Sequence, residues 1–193
     1  MIKEYSVSGT ALTGETLEAR DVTIVVQDGI ITAVEDESSV PDQWICPAFF
    51  NAHTHLADTV AMDLPCAGTL DELVTPPHGL KHQILAKTSV PRLISAMRDS
   101  ITEMIHSGTA GFADFREGGK PGVLTLQEAA SQMPIRPIIL GREGGEEIAD
   151  GAGISSVRDV TQSMEIADLM KRQGKIIGFH AGEKDPDDID AAL

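Results

Sequence analysis

From Pro47 onward, apolar runs of strand length alternate with segments whose apolar residues recur at helical spacing, and this alternation limits the possible folds more than any other feature. The runs 48–55, 109–115, 135–141 and 175–180 read as strands, with a weaker one near 153–157. Between the first two, "VPRLISAMRDSITEMIHSG" sets Leu93, Ile94, Met97, Ile101, Met104 and Ile105 on one helical face and stops at Gly108, a residue suited to a helix C-terminus. "SVRDVTQSMEIADLMKRQG" repeats the pattern and stops at Gly174. Strands separated by helices run parallel, because a parallel neighbour is reached by a long crossover that covers the sheet face. The expectation for 47–193 is therefore an α/β fold with helices outside a parallel sheet.

Residues 1–46 follow a different rhythm. "DVTIVVQDGIITAVED" holds two alternating β-branched runs, 22–26 and 30–34, joined by Asp28-Gly29, a strong hairpin signal. "YSVSGTALTG" adds an earlier strand and turn. A small, separate antiparallel sheet is expected here.

Charge narrows the function classes. The chain has 30 acidic against 15 basic residues, a net charge of −15, and lacks the clustered Lys and Arg that a nucleic-acid or anionic-membrane surface requires. Its two cysteines, Cys46 and Cys66, form no CxxC pair and no disulfide framework, which fits a reducing, cytoplasmic compartment. "MIKEYSVSGT" has no apolar core of signal-peptide length, and no apolar run reaches membrane-spanning length. A soluble protein acting on a small molecule is the expectation.

Chemistry in α/β folds collects at the C-terminal ends of strands. The first such end carries "FFNAHTHLAD", where the two-residue period of a strand points His53 and His55 to one face and Thr54 to the other. Two neutral imidazoles on one face suit a transition metal, although an HxH pair alone is a weak motif. "GFADFREGG" places Asp114, Arg116 and Glu117 at the second end, and "LGREGGEE" places Arg142 and Glu143 at the third. Arg116 and Arg142 are candidates for binding a substrate carboxylate, phosphate or carbonyl, each equally able to form an ion pair with Glu117 or Glu143. "IIGFHAGEKD" brings His180 to the last strand end, with Glu183 three residues on. His106, in a helix's last turn, is accounted for by the helix dipole. His78 and His82 have an i, i+4 spacing that can bind metal, but a solvated helix start is the simpler explanation of them.

Taken together, "PAFFNAHTHL", the β-rich segment with "VQDGIITAVE" before it and "GFHAGE" far downstream resemble the amidohydrolase superfamily, closest to its cytosine-deaminase-like and chlorohydrolase-like branch. The resemblance implies a partial (β/α)8 TIM-type barrel of about five βα units, with a small sandwich-like β domain over 1–46 and the barrel portion over 47–193. It implies that His53, His55 and His180 bind one divalent metal, zinc or alternatively iron, and that Glu183 is the acid/base. The implied activity is hydrolytic deamination of a nucleobase, nucleoside or related heterocycle. The alternatives are cyclic-amide hydrolysis of the imidazolone type, or a non-catalytic subunit completed by another chain. The family pattern also calls for a later histidine and a later aspartate. "DPDDIDAAL" does not supply the latter, since Asp185, Asp187, Asp188 and Asp190 read as an acidic helix start. The 193-residue chain is thus expected to be a fragment, inactive alone, associating through an open strand edge near 176–180 with a second copy or with the missing part.

Overall fold

The computed structural model describes residues 3–75, 78–156, 162–183 and 186–192. The chain divides into two compact units, Met1–Ala48 and Phe49–Leu193.

The first unit is a four-stranded sheet in the order β3-β2-β1-β4, built from β1 (Glu4–Thr13), β2 (Glu18–Gln27), β3 (Ile30–Asp36) and β4 (Trp44–Ile45). β2 and β3 pair antiparallel, with Val26 opposite Ile31. The Asp28-Gly29 turn between them has positive φ at both residues, 49° and 82°, the signature of the hairpin turn whose twist matches its strands. The short β4 pairs parallel with β1, an element that alternation alone did not reveal. Ala11, Val22 and Val26 form the buried side of this unit.

The second unit is a five-stranded, wholly parallel sheet in sequential order: β5 (Phe49–Thr54), β6 (Thr109–Arg116), β7 (Arg136–Gly141), β8 (Gly151–Ile154) and β9 (Ile176–Phe179). β5 and β9 are its two edges, four strand spacings apart. In a flat sheet that would be roughly 19 Å. Side chains at the ends of these two strands nevertheless meet, so the sheet is curled into about half a barrel.

Helices cover the convex side. After β5 come a 3-10 turn (Leu56–Ala61), α1 (Leu70–Leu73), α2 (Leu80–Lys87) and α3 (Val90–His106). α4 (Gly119–Ala130) follows β6, α5 (Ser163–Arg172) precedes β9, and α6 (Asp188–Ala192) comes last. The apolar stripe of α3 packs as its spacing requires. Met97 and Ile101 are fully buried against Phe112 of β6 and Leu126 of α4, with Leu93, Ile94, Met104 and Ile105 at the margin. Gly108 and Gly174, at φ 83° and 66°, end α3 and α5 in the left-handed turns read from sequence.

The weaker strand near 153–157 is displaced: β8 begins at Gly151 and ends at Ile154. Only residues 142–150, with one 3-10 turn, link it to β7, so that crossover has no full helix. Val157 and the start of the following helical pattern fall at 157–161, outside the described residues, as does Asp185. Asp188 and Asp190 lie in the first turn of α6. Among the described residues no helix is long and apolar enough to cross a membrane.

Candidate metal centre

The pleat of β5 sends His53 and His55 to the concave side, while the Thr54 hydroxyl turns away to the Asp114 carboxylate at 3.0 Å and the Ala113 carbonyl at 2.9 Å. Asp114 Oδ2 also accepts the Leu56 N–H at 2.6 Å. One fully buried carboxylate therefore grips the chain on both sides of His55. Burial raises the Asp114 pKa, against the opposing pull of Arg116 and the Leu56 N–H.

His55 is oriented a second time by Glu117, whose Oε1 lies 3.2 Å from His55 Nδ1. Glu117 is itself held from two directions. Arg116 Nη2 meets Oε2 at 2.8 Å, and Lys81 Nζ, from α2, meets Oε1 at 2.7 Å. Burial pushes the Glu117 pKa up, but the His55 hydrogen bond and the Arg116 and Lys81 cations outweigh it and hold the group ionised, well below the usual carboxylate range.

His180 leaves the end of β9 with its N–H bonded to the Ile154 carbonyl at 2.9 Å. Its Nδ1 has two neighbours at 3.3 Å, the Ile154 carbonyl and Arg142 Nη2. They make opposite demands: the carbonyl needs a proton on Nδ1, whereas the guanidinium needs a lone pair there. The first leaves Nε2 free to bind a cation, and the set of atoms around Nε2 favours it. Burial, and then the Arg142 charge, lower the His180 pKa to about 4, so the ring is neutral near pH 7. Burial and the neighbouring His55 lower that of His53 as well.

The three Nε2 atoms form a nearly equilateral triangle: His53 to His55 3.2 Å, His55 to His180 3.1 Å, and His180 to His53 3.0 Å. Three imidazoles cannot all satisfy one another, since each neutral ring carries one proton and one lone pair. A cation solves this. The corners of a triangle with edges near 3.1 Å lie about 1.8 Å from its centre, just under a Zn–N bond of roughly 2.0–2.1 Å, so the spacing of the three nitrogens suits such an ion. Among the described residues this is the only group of three or more His, Cys, Asp or Glu side chains placed to hold a metal. The Phe115 ring lies against all three imidazoles, at 4.7, 5.8 and 4.4 Å between centroids for His53, His55 and His180. Glycines make room for it, since a Cβ on Gly153 or Gly178 would come within 2.8 or 2.7 Å of Phe115 ring atoms.

The triangle faces a cavity of about 300 Å³ that Arg142, Lys81, Asp58 and Glu183 also line. Glu183 is exposed and sits on no helix. Gly182, at φ 76°, turns the chain back after His180 and brings the carboxylate to the cavity. Arg142 approaches from the loop after β7, its guanidinium 5.7 Å from the Phe115 centroid.

Arg116, a candidate for binding substrate, lies away from the histidine cavity. It is 3% exposed, lies 3.4 Å from Asp114 Oδ1 and 3.7 Å from Met97 Sδ on the helix-facing side, and does not line the cavity. The same period of two that joins His53 to His55 joins Phe115 to Glu117 on the inner face and Asp114 to Arg116 on the outer, and applied to "DFRE" it would have identified Glu117 as the inward group. Lys81 and Asp58 carried no sequence signal, since their roles depend on where α2 packs. His82 Nε2 lies 3.1 Å from the Val74 carbonyl. His106 lies in the last turn of α3.

Comparison with known proteins agrees with this architecture. A protein of Methanothermobacter thermautotrophicus that carries the provisional name of aminohydrolase is 35% identical over 91% of this chain and 53% of its own length. One from Archaeoglobus fulgidus with the same provisional name is 34% identical over 77% of this chain and 45% of its own. The chain thus spans about half the length of the curated relatives it matches. The zinc complex of atrazine chlorohydrolase from Arthrobacter aurescens superposes with a TM-score of 0.65 at 15% identity, over 91% of this chain and 53% of that one. The 5-methylcytosine deaminase of Klebsiella pneumoniae, liganded with 5-fluorocytosine, gives 0.62 at 18%, over 92% and 51%. At such identities these two share the fold. Residues 44–178 match the Amidohydrolase family, a family of metal-dependent hydrolases, and with most of its length so matched the chain belongs to that family.

Proposed function

We propose that this chain carries the metal-binding part of an aminohydrolase that releases ammonia from a nucleobase, nucleoside or related amino-substituted heterocycle. The observation that carries the reading is the Nε2 triangle of His53, His55 and His180 in one cavity with Glu183. The provisional aminohydrolase names of the relatives and the likeness to a cytosine-type deaminase support the reaction class.

His53, His55 and His180 would hold the cation, zinc or alternatively iron, since three imidazole nitrogens suit both. Such a cation supplies Lewis acidity, lowering the pKa of a water from 15.7 to about 7. Glu183 accepts the water's proton and returns it to the departing amino nitrogen, which leaves as ammonia rather than as an amide anion. Arg142 hydrogen-bonds an acceptor atom of the substrate ring, and Phe115 closes the floor beneath the histidines. Turnover is proposed to draw on further βα units as well, whether in the same polypeptide or from a second one, because a closed barrel of this type has eight strands.

The test is a screen of the zinc-loaded and iron-loaded full-length protein for ammonia release from aminopyrimidines, aminopurines and their nucleosides, with cyclic amides as a parallel set. Metal-dependent ammonia release from an amino-heterocycle is expected. Opening of a cyclic amide, with no ammonia from any amino-heterocycle, would replace this reading.

A further inference from the structure

Lys81 brings a cation to the edge of the metal centre. Its Nζ, on a side chain 13% exposed, lies 2.7 Å from Glu117 Oε1, 2.9 Å from Asp58 Oδ2 and 3.4 Å from His55 Nδ1. An ammonium group has donors only, and a neutral imidazole nitrogen either donates or accepts. His55 Nδ1 can therefore satisfy Glu117 or Lys81, but not both. Donation to Glu117 leaves the lone pair on Nε2, facing His53 and His180. Acceptance from Lys81 moves the ring proton to Nε2, pointing it at the other two nitrogens and closing the triangle to a cation. The carboxylate partner of a ligating histidine is what ordinarily fixes this choice. Here the competing ammonium is within 3.4 Å, and something must keep it occupied.

Asp58 does so. It lies three residues beyond His55 in the 3-10 turn, where its N–H bonds the His55 carbonyl at 2.9 Å. The turn thus ties the carboxylate that takes a Lys81 proton to the backbone of the histidine it protects. We propose that Asp58 is a positioning residue of the metal centre, drawing the Lys81 ammonium's donors toward itself so that His55 Nδ1–H donates to Glu117 and His55 Nε2 is left to ligate. The inference rests on the reading of His55 as a metal ligand given above.

The experiment measures zinc and cobalt(II) affinity by competition with a chromophoric chelator, and the tautomer of metal-free His55 by 15N NMR, in the wild type, Asp58→Asn, Lys81→Met and the double variant. Asp58→Asn should weaken metal binding by about tenfold or more, the scale of losing an outer partner of a ligand, with His55 shifted toward the Nε2–H form. Lys81→Met alone should bind within about threefold of the wild type, because Arg116 still pairs with Glu117 at 2.8 Å. The double variant should return to within about threefold of it, since the competitor that Asp58 restrains is gone. A double variant as weak as Asp58→Asn would show that Asp58 merely supports its loop, and wild-type affinity in Asp58→Asn would overturn the inference directly. Should the wild type bind neither metal, or bind both as well as His55→Ala does, the metal reading itself falls, an outcome distinct from failure of the Asp58 role.

Discussion

The two ends of the metal centre are built differently. Where β5 meets β6, the histidine-bearing chain is held by buried, ionised or hydrogen-bonded groups: Asp114 on Thr54 and Leu56, Glu117 on His55, and Arg116 between the two carboxylates. At the end of β9, His180 rests on one backbone carbonyl and Glu183 is exposed on the turn that follows. The difference fits the roles proposed for His55 and Glu183. A metal ligand is most useful when its ring cannot turn, and buried second partners fix it. A proton carrier has to reach two positions during turnover, which a fully bonded carboxylate could not do.

This contrast can be broken by substitution, and the largest effect should come from Asp114. Asp114→Ala leaves the Leu56 N–H and Thr54 hydroxyl without their buried acceptor and deprives Arg116 of a counter-charge. It should destabilise the fold by about 3–5 kcal/mol in chemical denaturation. A loss below about 1 kcal/mol would show that the β5–β6 junction is not held by this carboxylate.

Glu183→Gln should act on turnover instead. Its exposed position gives it little to contribute to the fold, so the thermal midpoint and metal content should stay at wild-type values while kcat falls by roughly 10²–10⁴-fold. Metal loss in this variant would move Glu183 from proton carrier to support. Glu117→Gln should show a smaller effect on a different quantity, weakening zinc affinity by about 10–100-fold as His55 loses its ionised partner. Unchanged affinity would mean that Asp114 alone positions His55.

The mildest effect is that of pH on the metal-free protein. The pKa of His180 is about 4 in the fold, against an ordinary value of 6.5. The unfolded chain therefore binds more protons between those values, and stability rises with pH. The contribution is fully present above about 6.5 and is lost as pH falls toward and through 4. Urea midpoints at pH 7 and pH 5 should differ more in the metal-free wild type than in His180→Asn. Equal differences would place the titration elsewhere.

Much of this centre was legible in the residues. The period of two put His53 and His55 on one face, and strand-end position marked His180, Glu183 and Arg142. Those signals are local, because a pleat or a strand terminus is defined by a few neighbouring residues. Which cavity Arg116 faces was not legible from strand-end position without its parity: one residue's shift along β6 exchanges the histidine cavity for the helix layer. Lys81 and Asp58 were invisible, since a lysine on a short helix and an aspartate in a turn have no period that reports what they will touch.

The sequence by itself determined the element types and their order: an Asp28-Gly29 hairpin, parallel strands bearing histidines at their ends, and the apolar face of α3 that covers them. These follow from backbone preferences and from burial of apolar side chains, which act over short stretches of chain. Only the tertiary structure decided that His53 and His180, 127 residues apart, meet at 3.0 Å. It likewise decided that Glu117 meets His55 and that Lys81 meets both Asp58 and Glu117 beside it. The physical reason is the curl of the sheet. Which side chains converge depends on the summed twist and packing of five strands and their helices, and no single segment encodes that sum.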